Sequence, residues 1–467
     1  MARILMIQIQ PAPYAGTAYL HGAVRSAGHD FSLIIGSDPG RICKAIRESP
    51  PDIIGFSCMT CFCSEILRLA GRIKAVSPVP IILGGPHPTL FPDVINEPSI
   101  DMICRGEGEF ALIDLLSAIS TGSPVEQIPN LWVKKNGTIY RNEVRSLAEP
   151  LDRIPLIDWS CYAGTPVKDS SPIAFLVRGC PYSCTYCFNE ATRELYRGRG
   201  TYVRHFSVER SLAEIAAALR FFRPNPVLFN SDSFGMDLDW MDEMLAGFSR
   251  LTALPFVLLL RPELATDRCI EILAKHRCHS VAIGVESGSE RVRREMLNRS
   301  YSNKELLSVA SRLHARGIRF RTYNMIGLPS ETEAEIWETI HLNIRMGADF
   351  PRGAIFTPMP NTRLAEIAKE RNYLGADFEC GQIPATILSN TILKGGDSAR
   401  IQNLLYFFQT AILFPRCEPL IRRLLRIPPN RFFRTWFYLV YAYLHRKSEG
   451  RAFTSYLRYL FYNRKHV

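Results

Sequence analysis

The sequence predicts an α/β chain in three parts: a doubly wound parallel sheet, a partial (β/α)6 barrel and a helical C-terminal region. Three observations carry this. Over residues 1–127, apolar strand-like runs alternate with helical stretches, the pattern of a parallel sheet covered on both faces. Over 166–375 the alternation continues, now at roughly 30–45 residues per strand–helix unit, as barrel units require. From 376 to 467 aromatic clusters interleave with arginines instead.

In the first part, strands are read at Ile4–Ile9, Asp30–Ile35, Ile53–Ser57, Ile81–Gly84 and Met102–Cys104, with helices at Ala18–Ala27 and Ser64–Val76 between them. The pattern describes a generic flavodoxin-like (Rossmann-like) domain. Ligands of such sheets bind at strand carboxyl ends, where small residues let the backbone come close. The runs placed there are Gln10-Pro11-Ala12-Pro13-Tyr14, Ser57-Cys58-Met59-Thr60, Gly84-Gly85-Pro86-His87-Pro88-Thr89 and Arg105-Gly106-Glu107-Gly108-Glu109. His21 falls in a helix and reads as a surface or packing residue. Cys58, Cys61 and Cys63 form a tight trio with no clear fourth ligand, so they read as packing at a buried strand end.

A connector spans 128–165. Ile128–Val133 and Asn136–Tyr140 predict a hairpin with an Asn-Gly turn. A proline-punctuated linker, Pro150-Leu151-Asp152-Arg153-Ile154-Pro155, follows.

In the barrel-like part, strands are read at 173–177, 226–230, 256–260, 280–284, 319–325 and 353–357. Helices are read at Ser211–Phe222, Asp239–Arg250, Asp267–His276, Lys304–Arg316 and Glu333–Met346. Polar groups gather at the strand ends: Asp232, Arg261-Pro262-Glu263, Gly284-Val285-Glu286-Ser287-Gly288-Ser289, Met325-Ile326-Gly327-Leu328 and Thr357-Pro358-Met359-Pro360. Asp232 also reads as a helix cap, competing with Ser233 and Asp237, and Arg261 as a surface partner of Glu263. Glu286 ends an apolar strand that would otherwise bury its carboxylate unpaired.

The chain is organised around Arg178-Gly179-Cys180-Pro181-Tyr182-Ser183-Cys184-Thr185-Tyr186-Cys187-Phe188-Asn189. Cys180, Cys184 and Cys187 stand at C-x3-C-x2-C spacing directly after a strand-like run. Thiolates are the usual ligands of iron–sulfur clusters, and three of them on four irons leave one coordination position open for chemistry. A structural zinc site would want a fourth ligand, and no Cys or His pair at zinc-finger spacing follows. Three unrelated buried thiols is the bland alternative.

With Tyr186 before the third cysteine, this run resembles the signature of the radical S-adenosylmethionine (SAM) superfamily. Gly84–Thr89 and Arg105–Glu109, followed by the cysteine motif, look like the cobalamin-binding branch, a resemblance covering roughly residues 1–375. It implies a 4Fe–4S cluster on Cys180, Cys184 and Cys187, with SAM on the open iron. Asp232 and Glu286, with Ser287 beside it, would then face the SAM ammonium and ribose, and Arg261 its carboxylate. Tyr186, Phe188, Ile326 and Gly327 would wall the adenine. Cobalamin is expected over Ser57, Thr60, Gly84, Gly85, His87 and Glu107. The chain lacks Asp-x-His-x-x-Gly, so no protein histidine is expected on the corrin's lower face. Asn298-Arg299 and Gly317 echo the family too and are read as turn and helix-end residues.

The activity so implied is reductive SAM cleavage, hydrogen abstraction and methylation of an unactivated carbon of a small-molecule or lipid-like substrate, with flavodoxin or ferredoxin as electron donor. The alternative keeps both cofactors for an oxidative cyclisation, as in anaerobic porphyrin-ring cyclases. A methylthiotransferase would want further N-terminal cluster cysteines and an RNA-binding barrel. A cobalamin-binding sensor with a dead barrel sits badly with three intact cysteines.

Thirteen cysteines in 467 residues without framework spacing argue for a reducing compartment, and the N-terminus lacks a signal-peptide pattern. The expected location is cytoplasmic. The net charge is +11, and twelve Lys/Arg against Glu418 and Glu449 after residue 410 account for ten of it. The body is therefore near neutral and no nucleic-acid partner is expected. The basic, aromatic tail reads either as a helical cap on the barrel or as a peripheral contact with the inner face of a membrane.

Overall fold

The computed structural model describes residues 1–375, 378, 383, 391–394 and 397–449. Residues 450–467, the end of the basic tail, lie outside the described residues. Two units divide the chain: Met1–Pro181 with Ala191–Pro224, and Tyr182–Glu190 with Asn225–Val467.

The first unit holds a seven-stranded sheet of order β2-β1-β3-β4-β5-β6-β7. Its strands are β1 (Arg3–Gln8), β2 (Asp30–Ile35), β3 (Ile53–Ser57), β4 (Ile81–Gly84), β5 (Met102–Cys104), β6 (Leu131–Lys135) and β7 (Thr138–Arg141). Pairings through β5 are parallel, and β6 and β7 add on antiparallel. Alternation along β1 explains its unbroken apolar run. Leu5 and Ile7 join the apolar cluster built with Ile42, Ile46, Ile66 and Ile73, whereas Ile4 and Met6 join the one built with Val24, Ala111 and Leu115. Helices Pro39–Glu48 and Cys63–Lys74 supply the first cluster, and Ala15–Ser26 and Glu109–Thr121 the second. A sheet covered on both faces has no polar side to show. The strand order reverses beside β1, which puts a ligand crevice at the carboxyl ends of β1 and β3.

The hairpin forms at the expected place. Asn136 and Gly137 have φ of 51° and 77°, the two left-handed residues a tight hairpin turn demands. Residues 128–165 fold into this same unit, where the Tyr162 hydroxyl donates to the buried Gln8 Oε1 at 2.6 Å. The run expected as one strand at 173–177 is broken into β8 (Ile173–Ala174) and β9 (Val177–Arg178). The cause is a pairing: β9 turns to pair antiparallel with β10 (Arg204–His205).

In the second unit, β11 (Val227–Phe229), β12 (Phe256–Leu260), β13 (Cys278–Glu286), β14 (Arg319–Ile326) and β15 (Phe350–Ile355) are parallel neighbours in chain order. Each α-helix between them begins on a side-chain cap: Asp237, Thr266, Ser289, Ser302 and Thr332 accept from backbone N–H groups, the last two in full capping boxes. Asp237, not Asp232, is the cap of helix Leu238–Leu251. The C-terminal helices Ser398–Leu413 and Arg431–Glu449 pack Leu404, Phe408 and Phe437 against Ile326, Ile355 and Trp337, so the tail does cap apolar surface of this unit.

Candidate active site

The cysteine loop is held by the second unit from Tyr182 onward. Asn298 Nδ2 donates to the Ser183 carbonyl at 2.8 Å, and the Leu364 N–H to the Thr185 carbonyl at 2.8 Å. Cys184 is buried, and Arg261 brings Nη1 to 3.3 Å from its sulfur. The same guanidinium lies 3.5 Å from the Tyr182 ring centroid and pairs with Glu263 at 2.6 Å. Arg261 is thus the partner of Glu263 and stands beside the Cys184 sulfur. Asn189 Nδ2 lies 3.6 Å from the Cys187 sulfur and 3.3 Å from Asp232 Oδ2. Burial pushes the Cys187 thiol up, offset in part by the Asn189 amides, and burial likewise raises Asp232. A cation or metal centre beside these groups would reverse both shifts.

Cys180 is buried at the end of the first unit's contribution, after Gly179. Gly179 has φ of 86°, and a Cβ there would stand 2.2 Å from the Tyr202 carbonyl oxygen. Glycine is therefore required one residue before the first thiol. Among the described residues, no three His, Cys, Asp or Glu side chains are arranged around a single ion.

Glu286 closes β13 in the left-handed region, with φ of 64°, a conformation an ordinary residue holds only where its surroundings impose it. Those surroundings are specific. The Tyr186 hydroxyl donates to Glu286 Oε1 at 3.0 Å, and Arg299 Nη2 lies 3.4 Å from the same oxygen. Arg299 in turn donates to the Gly284 carbonyl at 3.2 Å and to the Tyr301 hydroxyl at 3.0 Å. Burial, then the Glu286 charge, raises the Tyr186 phenol well above its ordinary range, so it stays a donor. The pair leaves Glu286 Oε2 as an acceptor with a fixed position, suited to an ammonium or a ribose hydroxyl.

Ser287 is fully buried and donates to Glu331 Oε1 at 3.4 Å. Glu331 Oε2 accepts from the N–H groups of Gly327 at 2.7 Å and Leu328 at 3.1 Å, while burial pushes its carboxyl up to about 8. Glu331 therefore fixes the turn after β14. Ile326 sends its side chain into the apolar cluster beneath the C-terminal helices, and its carbonyl accepts from the Phe356 N–H at 2.9 Å. Tyr186 and Met325 pack together with Leu328 and Phe356, a flat apolar wall. Phe188 is half-buried.

In the first unit, Ser57, Thr60, Gly84, Gly85 and His87 gather at the ends of β3 and β4. The Cys58 N–H donates to the Gly84 carbonyl at 2.8 Å, and the His87 N–H to the Cys58 carbonyl at 3.0 Å. Gly85 has φ of 98°, and a Cβ there would press on the Cys58 backbone at 3.2 Å. Thr60 Oγ1 and His87 Nδ1 are buried without a hydrogen-bond partner, a costly state that a polar ligand would relieve. These residues fit a cobalamin edge. The Cys58 hydrogen bond, and after it that of His87, pulls the Cys63 thiol down to about 5.

Glu107 stands apart from that group. It pairs with Arg204 at 2.6 Å and Arg178 at 3.2 Å, and Arg178 also binds Glu109 at 2.7 Å. Both guanidiniums outweigh burial and keep the Glu107 carboxyl below its ordinary value. The backbone of the Arg105–Glu109 loop is itself held, Thr89 Oγ1 accepting from the Gly106 N–H and Tyr196 Oη from the Glu107 N–H.

Four residues escaped the sequence reading as site residues. Arg299, read as a turn residue, is the ion partner of Glu286. Tyr301, Asn189 and Glu331 hold Arg299, Asp232 and the Gly327 turn. Asn189 directly follows the motif, and that adjacency was a usable signal. Gly317, with φ of 68°, ends its helix as expected.

Comparison with known proteins agrees with this layout. The B12 binding domain model matches residues 10–116 and the radical SAM superfamily model residues 175–342. An uncharacterized methyltransferase of Pyrococcus horikoshii is 28% identical over 376 residues, covering 78% of this chain and 80% of its own. The anaerobic magnesium-protoporphyrin IX monomethyl ester cyclase of Rubrivivax gelatinosus is 23% identical over 74% of this chain and 65% of its own. Among solved structures, the cobalamin-dependent SAM radical enzyme OxsB aligns with TM-score 0.70 at 15% identity over 100% of this chain and 75% of its own. The radical SAM methyltransferase TsrM from Kitasatospora setae aligns with TM-score 0.63 at 16% identity over 80% of this chain and 77% of its own. The two matched domains define the cofactors as a 4Fe–4S cluster, SAM and cobalamin. The chain belongs to the cobalamin-binding radical SAM enzymes.

Proposed function

We propose that the protein methylates an unactivated carbon of a small-molecule or lipid-like substrate. The observation that carries this is the likeness to an uncharacterized methyltransferase over 78% of this chain and 80% of that protein, joined to a barrel end with fixed acceptors at Glu286 and Asp232. When bound, the cofactors supply one-electron cleavage of SAM, a hydrogen-abstracting radical and a cobalamin-borne methyl group.

The chain's own residues then bind and orient. Cys180, Cys184 and Cys187 hold the cluster. Glu286 and Asp232 would accept from the SAM ammonium and ribose, Arg261 would balance the charge of thiolate and carboxylate, and Tyr186, Phe188 and the Ile326–Gly327 turn would wall the adenine. Ser57, Thr60, Gly84, Gly85 and His87 hold the cobalamin. In this reading residues 1–127 carry the corrin, 166–375 the cluster and SAM, and the described helices of the region after 375 close the barrel. Electrons come from a flavodoxin or ferredoxin.

A second reading, oxidative cyclisation without methyl transfer, is favoured by the cyclase relative. Anaerobic reconstitution with cobalamin and methyl-labelled SAM, followed by incubation with a lipid and metabolite extract, separates the two. Label at a carbon of a product supports methylation; deoxyadenosine with no transferred label supports cyclisation.

A further inference from the structure

We infer that the C-terminal helices form a docking surface for an anionic bilayer. Helix Arg431–Glu449 is apolar on two faces, not one. Its inner face is occupied: Phe433 meets Phe407 edge-on at 4.8 Å between ring centroids, and Phe437 packs at a tilt on Tyr406 at 5.9 Å. Its outer face carries Phe432, Trp436, Leu439 and Tyr443, with 86%, 44%, 61% and 61% of their surface exposed. Spacings of four, three and four put these side chains on one stripe. Upstream, Leu420 and Ile427 are also exposed, at 56% and 46%.

Water alone does not account for such a stripe, because a solvent-facing helix surface is normally polar. Charge selects the occupant. Arg416, Arg423, Arg426, Arg431 and Arg434 are all exposed, and among the described residues none of them makes an ion pair. Arg422 shows the contrast, being held by Glu418 at 2.7 Å and stacked over Trp337 at 4.1 Å. Six further Lys/Arg follow residue 445 in the sequence.

Exposed Phe, Leu, Trp and Tyr among unneutralised arginines is the chemistry of the bilayer interface, where rings sit at headgroup depth and guanidiniums meet phosphates. No described helix is long and apolar enough to cross a membrane, so the contact lies on the surface. This inference is independent of what the barrel methylates.

The test is co-sedimentation of the full chain with phosphatidylcholine vesicles, with and without about a third phosphatidylglycerol, at low and high salt. The expected result is at least tenfold stronger binding to the anionic vesicles, weakened by salt. F432S/L439S should weaken it tenfold or more, and R423E/R431E should abolish the preference for anionic lipid. Unchanged circular dichroism melts confirm that the variants fold. Equal, weak binding to both vesicle types, or binding indifferent to both variants, overturns the proposal. So does a self-associated protein that F432S/L439S makes monomeric without any vesicle binding, since a second copy would then be the occupant.

Discussion

Arg178 Nη2 stands 2.7 Å from Glu109 Oε1, with Nη1 3.2 Å from Glu107 Oε1 and the guanidinium 5.0 Å above the Tyr19 ring. Within the first unit, this arginine ties the loop after β5 to the strand that ends two residues before Cys180. Glu109 is almost fully buried and Arg178 largely so. Removing Arg178 leaves the buried Glu109 carboxylate without its ion partner.

R178M should therefore destabilise the protein by about 3–5 kcal/mol, whereas R178M with E109Q should recover most of the loss, since Glu107 keeps Arg204. Thermal melts of the single and double variants check this. A single variant as stable as the parent would show that the cluster of charges is not a clamp.

Gly179 precedes the first thiol with φ of 86° and no room for a Cβ beside the Tyr202 carbonyl. G179A should cost about 1–3 kcal/mol through backbone strain and displace Cys180, so that iron bound per chain after reconstitution falls markedly. Iron content measured beside the melting curve separates the two effects.

Glu286 is fixed by Tyr186 and Arg299. E286Q keeps the shape and removes the charge. Loss of a charged hydrogen bond of about 1.5–3 kcal/mol should weaken SAM binding roughly 10- to 100-fold. Equilibrium dialysis with the reconstituted protein reads this directly, and R299M should produce a loss of similar size by releasing the carboxylate.

Two carboxyls give stability opposite slopes with pH. Burial raises Glu335, but hydrogen bonds from Arg291, Thr332 and Ser289 outweigh it and hold its carboxyl at about 2. Its contribution is complete above the ordinary carboxyl value and is lost as pH falls from about 4.5 toward 2. Glu331 is raised to about 8 by burial, so the folded state keeps a proton that the unfolded chain releases. Its effect is a loss of stability as pH rises from about 4.5 to 8. Urea midpoints across this range should show E335Q losing the acid limb and on the order of 2 kcal/mol at neutral pH. E331Q should flatten the descending limb.

What the sequence disclosed followed from local signals. Asp30–Ile35, Ile53–Ser57, Ile81–Gly84 and Met102–Cys104 stand where the apolar runs placed them, because parallel strands buried on both faces have few other ways to be written. Asn136-Gly137 announced its own turn, and the cysteine spacing its own chemistry. The partners of the site residues were hidden because they meet across the fold. Arg299 reaches Glu286 from beyond the next helix, and Glu107 is claimed by Arg178 and Arg204 from far along the chain. Nothing in Gly284-Val285-Glu286 signals a left-handed glutamate; the close of β13 imposes it. The break at 173–177 arose in the same way, from a pairing with Arg204–His205 that no local run foretells.

The central claim is that Cys180, Cys184 and Cys187 hold a cluster at which SAM is cleaved. Anaerobic reconstitution followed by reduction in the presence of SAM tests it most directly. The account predicts about four irons and four sulfides per chain with formation of 5′-deoxyadenosine, and neither in C180A/C184A/C187A. Deoxyadenosine formed equally by the triple variant, or a parent protein that binds no iron, would contradict it.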